Sequence, residues 1–434
     1  MRTLGVGLLG LGNVGSGLVK LLDDNREAIV ARTGARLEVR RILVREVDKP
    51  RLVDVDRKLI TTDGKSVVDD PSIAIVVELI GGEDAARDLV LAAIRNGKHV
   101  VTANKALLAV HGDEIFAAAE QRGVQVLYEA SVCGGVPIIR ALRDGLASDR
   151  IQDLYGIVNG TSNFILTKMA DEGRAFDEVL AEAQAAGYAE ADPSLDVDGW
   201  DAAHKLCILT SLCFAVRVRP SQLLVEGLRD VAPIDFRYAE RFGYVIKPLA
   251  IAKDHGDSVE ARVHPTMIPE RFLLASVQGV FNAVYVTSQA LGPSMYYGRG
   301  AGMMPTAVAV VSDLIDVARD IVGSAATGLP LRLHIRGWKD RPVRPSSELR
   351  SRYYLRFGVV DKPGVLAQLA GALGEHDVSI SEVVQEGARA DGSGPVTVVV
   401  TTHLARERDL QAALAAFAKL PACLEKTRLL RILE

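Results

Sequence analysis

Thr3-Leu4-Gly5-Val6-Gly7-Leu8-Leu9-Gly10-Leu11-Gly12-Asn13-Val14-Gly15 opens the chain and decides how the first part of it folds. An apolar run over Leu4–Leu9 reads as a buried strand, and a helical pattern over Val14–Leu22 follows. The GxGxxG between them is weak evidence alone. With a strand before it and a helix after it, the pattern reads as a dinucleotide-binding turn. Gly10 permits the tight turn, Gly12 lets the backbone approach a pyrophosphate, and Gly15 lets helix and strand pack closely. Asn13 and Val14 open the helix, whose N-terminal N–H groups and dipole favour phosphate.

Working outward, short apolar runs recur at Val39–Val44, Ile73–Ile80, His99–Thr102 and Val124–Glu129, with helical patterns at Ala85–Asn96 and Asp113–Gln121. Strands alternating with helices predict an α/β domain over residues 1–130, a doubly wound parallel sheet of Rossmann type. Residues 131–330 mix strand-like runs with longer helices and predict an α+β domain for substrate binding and dimerisation. An apolar helix over about 304–322, with Pro305 in its first turn, is expected to return to the first domain. Residues 337–352 hold two prolines among many charges and read as a linker. Residues 353–434 follow the order β-α-β-β-α-β, a ferredoxin-like arrangement.

Composition limits the function classes. The chain has 434 residues with 51 Lys plus Arg against 55 Asp plus Glu, a formal charge of −4 that argues against a nucleic-acid surface. No apolar run approaches the roughly 18 residues that span a bilayer, so no membrane contact is expected. The N-terminal apolar run lacks a small-residue cleavage site, and a cytoplasmic location is expected. Cys133, Cys207, Cys213 and Cys423 fit neither a disulfide framework nor a zinc site and read as reduced thiols.

Three further segments carry chemistry. Around the second strand, Arg40, Arg41 and Arg45 lie between Glu38 and Glu46. Arginine there accommodates a 2′-phosphate, so Arg40 makes NADP the expected cofactor, with NAD the alternative an acid would favour. Lys105 follows the strand ending at Thr102, and strand carboxyl ends face the ligand crevice. Gly187–Asp201 holds five acids and leads into an apolar helix where Asp201 and Lys205 are four apart, on one helical face. A lysine among carboxylates suits amine recognition and proton transfer. The glycine-rich Tyr297–Thr306 is a second possible cofactor contact.

With these residues in view, the chain resembles the homoserine dehydrogenases. GLGNVG at the start, TANKA at 102–106, EASVCGGVP at 129–137, NGTSN at 159–163, GYAEADPSLDVDGWDAAHKL at 187–206 and GRGAGMMPTA at 298–307 all fit, in order. The resemblance implies NAD(P)-dependent interconversion of L-homoserine and L-aspartate 4-semialdehyde. It implies Lys205 as the acid/base, with Lys105 at the cofactor–substrate junction. Glu190, Asp196 and Asp201 match carboxylates that hold the amino acid, and Asn159, Gly160, Thr161, Gly187 and Tyr188 line the same site. Gly187 and Gly302 also match cofactor contacts. A structural monovalent cation, Na⁺ or K⁺, is implied at Glu129 and the backbone oxygens of Val132, Gly134 and Val136.

After residue 352 the pattern resembles an ACT domain, the small regulatory module of amino-acid pathways. That resemblance implies an amino-acid effector, threonine, at Asp361 and Gly364, and a homodimer or homotetramer. Two other readings stay open at this point. One is a cofactor- and amino-acid-sensing binding protein; the other is an ACT-tailed dehydrogenase of 2-hydroxy acids, with His204 beside its acids.

Overall fold

The computed structural model describes residues 2–327, 339–385 and 395–433. The chain divides into two compact units. The first comprises Met1–Gly160, Asp201–Ser221 and Phe281–Arg341, and the second Thr161–Trp200, Gln222–Val280 and Pro342–Glu434.

In the first unit the five expected strands form, four of them with shifted ends, and a short strand over Ile60–Thr61 that the sequence reading did not include joins them. They are β1 (Arg2–Leu9), β2 (Ala35–Leu43), β3 (Ile60–Thr61), β4 (Ile73–Glu78), β5 (His99–Thr102) and β6 (Val126–Leu127). They pair in parallel in the order β3-β2-β1-β4-β5-β6. The chain crosses over between β1 and β4, and in such sheets ligands bind beside the strand carboxyl ends at that reversal. Both faces of the sheet are apolar because helices cover both. On one face Val6, Leu8 and Val77 pack with Leu18 and Leu22; on the other Leu9, Val76 and Val100 pack with Val90, Ile94 and Ile115.

The returning helix is longer than expected, Met303–Thr327. Val310, Leu314 and Val317 complete the core around Leu18. Gly17 makes the approach possible, since a Cβ there would lie 2.9 Å from the Met303 carbonyl oxygen. An antiparallel trio, Ile151–Ile157, Phe281–Ser288 and Gly292–Arg299, belongs to the same unit. The last of these takes in Tyr297–Arg299, the start of the glycine-rich segment read from sequence as a possible cofactor contact. Its alternation is masked by Gly292 and Gly298, and its side chains are only half covered.

In the second unit the strands run in the order Tyr244–Asp254, Val259–Pro269, Arg428–Ile432, Arg350–Val359, Val396–Thr402, Ile380–Gln385. The last four, with helices Val365–Gly374 and Glu407–Phe417, form the β-α-β-β-α-β module. The module shares its sheet with the rest of the unit, because Arg428–Ile432 pairs in parallel with Val259–Pro269. Its sheet is buried on both sides. Tyr353, Leu355 and Phe357 face its own helices, while Tyr354, Val399 and Leu430 face Ile165, Phe176 and Tyr238. Asp235, fully buried, receives the Tyr354 hydroxyl at 2.9 Å and the Arg356 Nε at 2.7 Å. The described part of the linker is also held: Val343 bridges Val259, and Arg344 donates its N–H to the Val259 carbonyl.

The four cysteines are unpaired, with Cys133 and Cys207 buried. Among the described residues no helix is long and apolar enough to cross a membrane.

Candidate active site

The glycine turn lies at the carboxyl edge of the parallel sheet. Gly10 takes φ +104° and donates its N–H to the Leu43 carbonyl at the end of β2. A Cβ on Gly15 would lie 2.3 Å from the Gly10 carbonyl oxygen, so only glycine lets helix Asn13–Asp24 start this close to the strand. At Gly12 the reverse holds: a Cβ would meet nothing within 4 Å. Gly12 is the N-cap residue, and no side chain caps the helix. An open space bounded by helix N–H groups fits a pyrophosphate.

Two more strand ends meet this edge. Glu78, at the end of β4, accepts from the Ile80 and Gly81 N–H groups and from the Thr102 hydroxyl at 2.6 Å. Burial raises its carboxyl above the usual range despite those bonds. Gly81 and Gly82 follow in left-handed conformation with open space where side chains would stand. Asn104 caps helix Lys105–Arg122 through the Leu107 N–H and also donates to the Gly82 carbonyl. Lys105 is therefore the first residue of a helix rather than part of a loop.

Lys105 meets Lys205 on one carboxylate. Lys105 Nζ lies 3.1 Å from Asp201 Oδ1, and Lys205 Nζ lies 2.6 Å from Asp201 Oδ2. Lys205 also donates to the Val158 carbonyl at 2.8 Å, and Asn159 Nδ2 donates to Asp201 Oδ2 at 2.8 Å. The helical i,i+4 spacing expected for Asp201 and Lys205 holds, on helix Trp200–Phe214. Burial by itself would raise the Asp201 carboxyl. The Lys205 and Lys105 ammoniums and the hydrogen bonds outweigh it and hold Asp201 well below the usual carboxylate range. The two lysines differ in access, with side chains 12% exposed for Lys205 and 40% for Lys105. The neighbouring His204 is pushed below its ordinary value by burial, which keeps its ring neutral.

Glu129 is buried, and its two oxygens accept the Ile139 and Arg140 N–H groups at 2.9 and 2.8 Å. Its own N–H donates to Asp313, a fully buried acid that burial and the neighbouring Glu129 push up to about 7. Cys133 and Gly134 both take positive φ, turning the chain sharply between Val132 and Val136. The Val136 carbonyl accepts the Ile138 N–H at 2.7 Å. Each Glu129 oxygen keeps a second lone pair. Paired buried acids beside main-chain oxygens are a donor set of the kind a hard monovalent cation takes. Among the described residues no group of three or more His, Cys, Asp or Glu side chains is arranged to hold a metal ion.

In the second unit, Thr161 donates its hydroxyl to the Tyr188 carbonyl at 2.6 Å, and Ser162 donates to the Asp196 carbonyl at 3.0 Å. Gly187 takes φ +75° with open space at its Cβ position. Tyr188 and Glu190 are exposed, and Gln184 holds the Glu190 carbonyl. Asp361 is exposed beside Gly364, whose φ of +87° opens helix Val365–Gly374. Gly302, in the first unit, takes φ +127° immediately before helix Met303–Thr327.

One expectation needs correction. Arg40 does not stand at the end of β2 but three residues before it, on the exposed side, ion-paired to Glu38 at 3.0 Å. A shift in register between β1 and β2 at Val6/Gly7 falls beside it. The arginine that reaches the glycine turn is Arg51. Its guanidinium donates to the Leu11 carbonyl at 3.4 Å and to the Glu46 carbonyl. No periodic signal marks Arg51, because it follows Pro50 in an irregular segment. The Glu78 and Asn104 supports were also missed, although an acid closing an apolar strand before Gly81-Gly82 is a legible sign.

A parallel sheet with an uncapped glycine turn at its switch point, and an amine held on a carboxylate in the same unit, is the equipment of a nicotinamide-dependent oxidoreductase. Comparison with known proteins narrows this. Residues 10–129 match the family model for the NAD binding domain of homoserine dehydrogenase, residues 137–315 that for homoserine dehydrogenase, and residues 353–422 that for the ACT domain. A homoserine dehydrogenase of Pseudomonas aeruginosa is 47% identical, over 97% of this chain and 96% of its own length. The crystal structure of a homoserine dehydrogenase from Thiobacillus denitrificans superposes with a TM-score of 0.92 at 46% identity, covering 100% of this chain and 99% of that one. A hyperthermophilic archaeal homoserine dehydrogenase in complex with NADPH gives 0.62 at 25% identity, covering 77% of this chain and 100% of that one.

The chain belongs to the homoserine dehydrogenase family, with an ACT domain at its C-terminal end. Its activity is the NAD(P)-dependent interconversion of L-homoserine and L-aspartate 4-semialdehyde. The match over nearly the whole length sets aside the sensing protein and the 2-hydroxy-acid dehydrogenase.

Proposed function

We propose that Lys205 is the proton-transfer group of this homoserine dehydrogenase, held in place by Asp201, with Lys105 sharing the same carboxylate. The observation that supports this reading is the single buried carboxylate bridging two ammoniums. The bound nicotinamide cofactor supplies the hydride in reduction and accepts it in oxidation. In the reducing direction Lys205 Nζ gives a proton to the oxygen that was the aldehyde's, and in the oxidising direction it takes that proton from the hydroxyl. Asp201 carries no proton in either direction. It fixes the ammonium, as a carboxylate well below its ordinary pKa can at neutral pH.

Gly10, Gly12, Asn13, Val14 and Gly15 are the residues that would hold the pyrophosphate, with Gly302 and Gly187 as further cofactor contacts by motif. Gly160, Thr161, Tyr188, Glu190 and Asp196 are assigned to the amino acid by their positions in the family motifs. The α-ammonium of homoserine calls for a carboxylate partner, and discrimination follows from pairing its buried polar groups. Glu129, with the carbonyls of Val132, Gly134 and Val136, would hold Na⁺ or K⁺ as a structural ion. A homodimer or homotetramer in the cytoplasm completes the proposal.

NADP is the preferred cofactor in this reading, with Arg51 and the exposed Arg45 as the cations for its 2′-phosphate in place of Arg40. A charge-assisted hydrogen bond contributes about 1.5–3 kcal/mol, roughly 10- to 100-fold in affinity. Arg51→Ala is therefore expected to raise KM for NADP by about that factor and leave KM for NAD within about twofold. Equal changes for both cofactors would remove Arg51 from the phosphate site.

Threonine is proposed as the effector, bound by the Asp361–Gly364 loop. Deleting the module is a poor control, since Arg428–Ile432 protects an edge of the strand Val259–Pro269. A point substitution serves better. Asp361→Ala is expected to move the threonine inhibition midpoint up by about tenfold at unchanged uninhibited kcat, by losing one charge-assisted contact. An unmoved midpoint would argue against this loop as the binding place.

A further inference from the structure

Among the described residues Arg431 is the largest fully buried side chain, 1% exposed, on the last strand of the C-terminal module. Its guanidinium forks to two acids. Nε and Nη2 donate to Glu407 at 3.0 and 2.6 Å, and Nη1 and Nη2 donate to Glu226 at 2.6 and 2.9 Å. Glu407 opens the module's second helix and also receives the Tyr353 hydroxyl at 2.9 Å. Glu226 lies outside the module. It directly follows the short strand Leu224–Val225, and its N–H donates to the Val263 carbonyl.

The backbone around Glu226 is packed on the acid-rich segment 194–199. Leu228 donates its N–H to the Val197 carbonyl at 2.8 Å. The Arg229 guanidinium grips the Asp198 carboxylate at 2.6 and 3.2 Å. A Cβ on Gly227 would lie 2.6 Å from the Val197 carbonyl oxygen and 2.8 Å from the Asp198 Cα, and one on Gly199 3.3 Å from the Glu226 carbonyl oxygen. The strap 224–229 is therefore fixed against residues 197–199, which directly follow Asp196 in the chain. A stretch of packed groups with no spare volume transmits displacement rather than absorbing it.

We infer that Arg431 is a positioning residue for the amino-acid substrate: anchored on Glu407, it holds Glu226, and through the strap it sets the placement of segment 194–199. The inference rests on the reading that this segment, through Asp196, binds homoserine. Glu407 takes two of the five guanidinium N–H groups, and Glu226, 36% exposed and outside the module, takes two more. The four contacts divide evenly between the module's own helix and the strap, so the orientation of one is passed to the other. Fork geometry of this kind is specific to arginine, because a lysine ammonium is a point charge that cannot hold two carboxylates in fixed planes.

Glu226→Gln tests this most cleanly, because it leaves Arg431 paired with Glu407. Arg431→Lys is the second variant, retaining the charge beside Glu407 while losing the fork. In the full-length enzyme both are expected to raise KM for homoserine by about tenfold, the loss of one charge-assisted pair. kcat at saturation and KM for the cofactor are expected to stay within about twofold, the pattern of lost ground-state binding. The double variant is expected to be no worse than the poorer single variant, since both break one link. An unchanged homoserine KM in a melted-and-scored, folded Glu226→Gln enzyme would overturn the inference, as would a parallel fall in kcat with a rise in both KM values. Asp196→Asn in the same assay separates the two: an unmoved homoserine KM would bring down the reading that this segment binds homoserine, and this inference with it, whereas a raised KM beside an unaltered Glu226→Gln enzyme brings down the inference alone.

Discussion

Lys205→Ala is expected to lower kcat by about 10²–10⁴-fold, the contribution a positioned general acid makes. The side chain is almost fully enclosed and donates to the Val158 carbonyl and the Asp201 carboxylate. Lys105 approaches the opposite oxygen of Asp201 and is more exposed, and burial lowers the His204 ring below its ordinary value. The loss is expected in kcat rather than in the KM for cofactor, because the phosphate turn is built from separate residues. Lys105→Ala, at a more exposed side chain, is expected to have the smaller effect on kcat. Steady-state rates in both directions, on variants shown to be folded by thermal melting, measure this. A Lys205→Ala enzyme with near-normal kcat would move the proton transfer elsewhere.

Asp201→Asn is expected to combine a loss of stability with a loss of activity. Asp201 is 6% exposed and carries two ammoniums and one amide. Neutralising it removes the charged partner of the enclosed Lys205 ammonium, and breaking a buried ion pair on one side costs about 3–5 kcal/mol. Misplacing the amine is expected to lower kcat by about 10²-fold, the scale of small errors in catalytic geometry. The same carboxylate predicts an acid limb in stability. Its folded-state pKa is depressed, so its contribution is fully present above the unfolded value of about 3.9 and is lost as pH falls through the folded value. The wild-type melting temperature should therefore fall more steeply below about pH 4 than that of Asp201→Asn. Identical acid profiles would contradict the depressed pKa.

How much of this was legible before the structure depends on the range of the forces involved. The glycine turn is local: Gly10, Gly12 and Gly15 act on their own turn, and their spacing states their purpose. The alternation of strand and helix through residue 130, and the order of the last eighty residues, follow equally from nearby patterns. The Asp201–Lys205 pair was visible because four residues make one helical turn. The Lys105–Asp201 contact was not, since it joins residues 96 positions apart through the packing of two helices. Arg40 lies within the run already read as the second strand, Val39–Val44, and in the structure it stays three residues short of the strand end and paired with Glu38. Arg51 carried no signal of its own. The pairing of Arg428–Ile432 with Val259–Pro269 is a non-local sheet contact that no motif announces, and it is what turns an apparent appendage into part of the second unit.

The central claim is that the Lys205 amine, held by Asp201, exchanges its proton with the reacting oxygen of the substrate. A crystal structure with homoserine and oxidised cofactor bound tests it most directly. Lys205 Nζ is expected within about 3.2 Å of the side-chain hydroxyl oxygen, with Asp201 on its far side. An Nζ beyond about 5 Å from that oxygen, with another protein group or a water at bonding distance instead, would contradict it.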